Sequence, residues 1–64
     1  MPNINAMTKL DIARVKGFDL PKAQRGVEFC KESGGIKRLE ELRAIDGMTD
    51  TLIENIKQEG ITAE

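Results

Sequence analysis

The sequence predicts an all-α domain of four short helices, and three observations predict it. First, the chain repeats itself at an offset of thirty residues. Ile12-Ala13-Arg14-Val15-Lys16-Gly17-Phe18-Asp19 lines up with Leu42-Arg43-Ala44-Ile45-Asp46-Gly47-Met48-Thr49. Apolar falls on apolar at Ile12/Leu42, Val15/Ile45 and Phe18/Met48, and glycine falls on glycine at Gly17/Gly47. A repeat at fixed offset means one supersecondary unit used twice. Second, each repeated glycine stands between a short apolar-edged stretch and a residue suited to cap a helix. Third, no stretch alternates apolar and polar residues at period two, so nothing reads as a strand.

Met1–Met7 reads as a polar, extended lead-in. Thr8 caps a first helix, with Asp11 three residues on as its capping-box partner. Ile12 and Val15 give that helix a narrow apolar edge of about two turns, too short to stand alone. Lys16-Gly17-Phe18-Asp19 is the first turn, with Gly17 in a left-handed position. Asp19 is the N-cap of the second helix, and Pro21 follows early, where a missing N–H costs little. That helix runs from about Leu20 to Ser33, with Ala23, Gly26, Val27 and Cys30 on its buried stripe and Phe29 broadening it. Gly26 either permits close helix approach or leaves the core underfilled. Ser33-Gly34-Gly35 ends the helix and links the repeats. A third helix, from about Arg38 to Ala44, presents Leu39, Leu42 and Ile45. Asp46-Gly47-Met48-Thr49 is the second turn. Thr49 or Asp50 caps a fourth helix carrying Leu52, Ile53 and Ile56. Gly60 ends it, and Ile61–Glu64 is a tail. The expected core is Ile12, Val15, Ala23, Val27, Leu39, Leu42, Ile45, Ile53 and Ile56.

Sixty-four residues make one domain at most, with a small core. Two Phe, with no Trp or Tyr, leave no aromatic platform for stacking single-stranded bases. With one Cys and no His there is no disulfide framework, no zinc set and no nucleophile–base pair, so neither an enzyme nor a cofactor is expected. No apolar run reaches the length of a signal h-region or a membrane span. The expectation is a non-membrane, cytoplasmic protein, or a domain excised from a longer exported chain.

The net charge of −1 hides an asymmetry. Residues 1–38 hold eight Lys or Arg and four acids, a balance of +4; residues 39–64 hold two bases and seven acids, a balance of −5. The two halves share a repeat but not a charge.

Asn3-Ile4-Asn5, the turn Gly17-Phe18-Asp19, Ala23 and the segment Glu28-Phe29-Cys30-Lys31-Glu32-Ser33-Gly34-Gly35-Ile36 are followed by Glu40-Glu41-Leu42 and the turn Gly47-Met48-Thr49. On these residues, from Asn3 to about Ile56 and without a gap, the chain resembles the helix-hairpin-helix family, and in particular the tandem module of the ComEA-type competence DNA-uptake proteins. The resemblance implies a compact four- to five-helix tandem helix-hairpin-helix (SAM-like) domain, with hairpins at about 8–33 and 38–59. It implies sequence-nonspecific binding of double-stranded DNA, with amides at the start of each hairpin's second helix gripping phosphate. The physics agrees, because a helix N-terminus carries unpaired N–H groups and partial positive charge.

Both turns depart from the family's Gly-apolar-Gly pattern. The second glycine is replaced by Asp19 and by Thr49. Asp19 places a carboxylate where phosphate would sit, while Asp46 and Asp50 flank Thr49, and like charges near phosphate are unfavourable. The expected phosphate site is therefore Lys16, Gly17, Phe18, Asp19, Lys22 and Arg25, and Gly47, Met48 and Thr49 form a poor second one. Each of these residues also has a reading without a ligand. Glycines end helices regardless of function, and bases are ordinary on a solvated helix face. Cys30 reads as a small core residue. Asn3-Ile4-Asn5 reads as a cap or staple of the first helix, with a direct DNA contact as the lesser alternative. The acidic residues Glu40, Glu41, Asp46, Asp50 and Glu54 are either a solvated face or a dock for a basic protein partner, a second copy included. Two functions stay open: weak, sequence-nonspecific duplex DNA binding through the first hairpin, and a protein-interaction or structural module that kept the fold and lost the DNA site.

Overall fold

The computed structural model describes residues 2–63; Met1 and Glu64, the ends of the expected lead-in and tail, lie outside them. In chain order the elements are a 3-10 turn at Ile4–Ala6, α1 at Lys9–Ala13, α2 at Leu20–Glu32, a 3-10 helix at Leu39–Ala44 and α3 at Asp50–Gln58. The architecture is all-α, and no helix is long and apolar enough to cross a membrane.

The caps explain the boundaries. Thr8 and Asp11 form a reciprocal capping box at α1: the Thr8 hydroxyl accepts from the Asp11 amide at 3.3 Å, and the Asp11 carboxylate accepts from the Thr8 amide at 3.1 Å. Thirty residues on, the Glu41 carboxylate accepts from the amides of Arg38 at 2.9 Å and Lys37 at 2.7 Å, repeating the carboxylate half of that box at the start of the 3-10 helix, while Arg38 makes no side-chain cap. Ser33 is the C-cap of α2 rather than its last residue. There the Gly35 amide donates to the Cys30 carbonyl at 2.8 Å and the Gly34 amide to the Lys31 carbonyl at 3.1 Å. Those are the paired bonds of a Schellman ending.

The third helix is 3-10 over its whole length. Its apolar residues Leu39 and Leu42, with Ile45 at its C-cap, recur at a spacing of three. A helix of three residues per turn stacks side chains at i and i+3 in one row, so this spacing sends Leu39 and Leu42 together into the core.

One core draws on both repeats. Ile4, Ile12, Val15, Ala23, Cys30, Ile36, Leu39, Leu42, Ile53, Ile56 and Ile61 are buried together. Seven of the nine expected core residues are in that set. Val27 and Ile45 are instead half-buried and pack against it, each standing at the margin of its apolar stripe. Two segments read as peripheral are in fact core. The lead-in is not simply extended, since it turns through a 3-10 helix that buries Ile4. The tail is docked, with Ile61 buried.

Backbone pairing of the two chain ends accounts for both corrections. Asn3 and Thr62 form an isolated parallel bridge, with the Ile4 amide donating to the Thr62 carbonyl and the Thr62 amide to the Pro2 carbonyl, both at 2.8 Å. Asn3 caps the 3-10 turn, its side-chain oxygen accepting from the Asn5 amide at 3.0 Å. Asn5 grips the linker between the repeats. Its Oδ1 accepts from the Ile36 amide and its Nδ2 donates to the Ile36 carbonyl, both at 2.8 Å. Asn3-Ile4-Asn5 is thus a staple, but not of the first helix as expected: it ties the amino-terminal segment to the middle and end of the chain, and Thr8 caps α1.

Candidate nucleic-acid interface

The two turns share one backbone design. Gly17 and Gly47 adopt φ of 87° and 84°, a region L side chains avoid. The Phe18 amide donates to the Val15 carbonyl at 3.0 Å, and the Met48 amide to the Ile45 carbonyl at 3.1 Å. Phe18 and Met48 then pack their side chains against the core as pegs, half-buried. Each turn delivers its chain to a helix N-terminus at the same phase, Asp19 capping α2 and Thr49 capping α3. Both caps have ordinary extended backbone, with φ of −127° and −104°, so neither position needs a glycine for conformational reasons. What the missing second glycines alter is bulk and charge at the helix start.

At α2 that charge is already engaged. The Asp19 Oδ1 accepts from the Lys22 amide at 2.9 Å. Pro21 has no N–H, so within the first turn of α2 only the Leu20 amide has neither a cap nor a proline ring in its place. At α3 the Thr49 hydroxyl accepts from the Leu52 amide at 3.2 Å, leaving the Asp50 and Thr51 amides uncapped, but Asp50 itself stands there.

Around the first turn, Lys16, Gly17, Asp19 and Arg25 are exposed and Lys22 is half-buried. Lys22 and Arg25 are three apart on α2 and so lie on one flank of it. Phe18 is half-buried and packs its side chain against the core. In the second turn Gly47 and Thr49 are exposed, and Met48, like Phe18, is a peg.

Charge pairing separates the repeats. Among the described residues the ion pairs are Arg43 Nε to Asp50 Oδ1 at 2.7 Å and Lys57 Nζ to Glu40 Oε2 at 2.6 Å, both within the second half. The acidic face is therefore partly committed internally. Lys57 holds the Glu40 carboxyl below its usual range and is itself raised by Glu40, and the backbone amides of Lys37 and Arg38 lower Glu41. Asp46 and Glu54 make no such pairs. In the first repeat Lys16, Lys22 and Arg25 form no ion pair at all.

Cys30 is buried beside the amino-terminal segment, and burial raises its thiol, so it is a poor nucleophile and a core residue. A groove of about 590 Å³ runs over it between Ile4–Lys9 and the Gln24, Val27 and Glu28 side of α2.

Two residues complete the first turn: Asn55, which sequence reasoning did not single out, and Leu52, expected only as an apolar residue of the fourth helix. The Asn55 Nδ2, from α3, donates to the Lys16 carbonyl at 3.0 Å. The Leu52 side chain lies over Gly17, where a Cβ would come within 2.7 Å of its Cδ2. Both contacts join residues more than thirty positions apart, so no local pattern announces them.

No family model matches this chain, and neither a curated protein nor a solved structure does.

Proposed function

We propose that the chain is a tandem helix-hairpin-helix module that binds double-stranded DNA weakly and without sequence preference through its first repeat. The observation that carries this reading is the charge pairing at the turns: Arg43 and Lys57, the two cations of residues 39–64, pair with acids of the same half, whereas Lys16, Lys22 and Arg25 form no ion pair. Unpaired cations beside a helix start are suited to a polyanion's backbone. The resemblance over Asn3 to Ile56 makes duplex DNA the anion of choice, though phosphate contacts alone do not distinguish it from RNA. Contacts confined to phosphate position a protein without reading bases.

A second reading is favoured by one bond, that of the Asp19 carboxylate to the Lys22 amide. It fills the helix start as a phosphate would, which suits a structural or protein-interaction module that has given up DNA.

One titration separates the two. Labelled protein is followed by NMR as a short random-sequence duplex is added at low and at moderate salt. Duplex binding predicts shifts clustered at Lys16 to Arg25 that reverse with salt, with a log–log slope near −3 for about three phosphate contacts. Absence of shifts at low salt rejects duplex binding and leaves the interaction module.

A further inference from the structure

The two repeats are not independent copies side by side, because one helix of the second braces the turn of the first. At the thirty-residue offset, Leu52 and Asn55 of α3 stand where Lys22 and Arg25 stand in α2. The same helix positions thus carry two cations in one repeat and two contact residues in the other. Leu52 is buried yet outside the main core cluster, and its Cδ2 covers Gly17. Asn55, one helical turn on, donates its carboxamide hydrogen to the Lys16 carbonyl at 3.0 Å. The brace is one-sided: the Cβ position at Gly47 meets nothing within 4 Å, so the second turn has no counterpart of the Leu52 contact.

We infer that Asn55 is a positioning residue, whose hydrogen bond to Lys16 fixes the first turn in the form that presents its backbone and cations to phosphate. The inference rests on the duplex-binding reading for its ligand, but the mechanical part stands on geometry alone. A carbonyl at the entry of a turn is free to rotate with its peptide plane unless something holds it. Here the holder comes from an element 39 residues away. The same amide plane carries the Gly17 N–H, so holding the Lys16 carbonyl also sets the direction of the amide that enters the turn. The bond is exposed, so its worth lies in order more than in stability.

The test uses Asn55→Leu, which keeps approximate size and removes the donor, and Asn55→Ala, which favours the helix. Two readouts are taken on the whole chain. The first is hydrogen exchange at the Phe18 amide, whose bond to Val15 closes the first turn, with the Met48 amide of the second turn as internal control. The second is affinity for a short random-sequence duplex across a salt series. Both variants should exchange faster at Phe18 and not at Met48. They should bind duplex about three- to tenfold more weakly, the range expected for one modest hydrogen bond. The salt slope should stay unchanged, because no cation is lost, whereas Lys22→Ala should flatten it by about one. Unchanged exchange at Phe18 in both variants overturns the inference, as does unchanged affinity in a wild-type chain that binds. If the wild-type chain binds no duplex, duplex binding is what fails. Exchange then decides the brace alone, faster exchange at Phe18 upholding it and unchanged exchange overturning it.

Discussion

The first and second repeats follow the same backbone path through their turns with different side chains, and the difference separates what the turn needs from what it is used for. Common to both are an apolar residue three before the peg, a glycine at φ near 85°, an apolar peg, and a capping residue whose side chain takes the third amide of the next helix. Those features suffice to rebuild the turn, because each satisfies a local requirement: a left-handed backbone position, a buried anchor, an orphan donor. All else has diverged. The first repeat carries unpaired cations, and the second carries acids paired with their own Arg and Lys. The first turn is covered by α3, and the second is open.

The largest expected effect tests that last contrast. Gly47→Ala forces an L side chain to φ of 84° in open space, and should cost about 1–2 kcal/mol. Gly17→Ala meets the same backbone penalty at 87° and also drives a methyl to within 2.7 Å of Leu52 Cδ2. It should cost more, by on the order of 1 kcal/mol, since Leu52 must shift within a packed site. Urea unfolding of both variants measures the difference. Equal losses would mean that Leu52 moves aside freely and that the first turn is not braced by contact.

Next in size is the tie between the repeats. Asn5→Ala removes both hydrogen bonds to the Ile36 backbone and leaves a part-buried amide and carbonyl unpartnered. The expected loss is about 1–3 kcal/mol. Asn3→Ala, which removes only a local cap on a single 3-10 turn, should lose less. Thermal melts measure both variants, and losses of equal size would mean that the amino-terminal segment is held by the backbone bridge to Thr62 rather than by Asn5.

These contrasts also explain what was legible in the sequence. The turns, the caps at Thr8, Asp19 and Thr49, and α2 were legible because each is specified within a few residues of itself. The 3-10 character of Leu39–Ala44 was written in the spacing of Leu39, Leu42 and Ile45, but short apolar spacings of three fit an α-helix edge as well. The burial of Ile4 and Ile61 was not legible, because it follows from pairing of Pro2 and Ile4 with Thr62, about sixty residues away in the chain. The brace from Asn55 was hidden for the same reason. The thirty-residue repeat marks equivalent positions, and it was at equivalent positions that the two helices took different tasks.

Under the duplex-binding reading, smaller effects sharpen the contrast at α2. Lys22→Glu should weaken duplex affinity several-fold and flatten the salt dependence by about one contact or more. Asp19→Gly should strengthen affinity, since it removes a carboxylate from the helix start while glycine remains a tolerable N-cap. Asp19→Ser keeps a hydroxyl on the Lys22 amide without the charge. A gain in both variants would assign the effect to charge; a gain in glycine alone would assign it to access. Fluorescence anisotropy with a labelled duplex reads all three. No change in Asp19→Gly would mean that the carboxylate does not stand in the path of phosphate.

The last contrast lies in the helices behind the turns. At the thirty-residue offset Gly26 of α2 corresponds to Ile56 of α3, so one repeat has a hydrogen atom where the other has a core side chain. Two explanations fit a buried glycine in mid-helix: another element comes too close for a Cβ, or the space beside it is simply unfilled. The geometry decides between them, since a Cβ at Gly26 meets nothing within 4 Å beyond its own helix. Its backbone is ordinary helix, so no left-handed position is being served. Gly26→Ala should therefore stabilise the chain, by about 0.5–1 kcal/mol from reduced unfolded-state entropy alone. A methyl in unfilled space adds to this rather than opposing it. The measurement is the urea midpoint at unchanged slope, with duplex affinity taken alongside. A loss of stability would place another element closer to α2 than the 4 Å clearance allows, and would reopen the reading of Gly26 as a contact point.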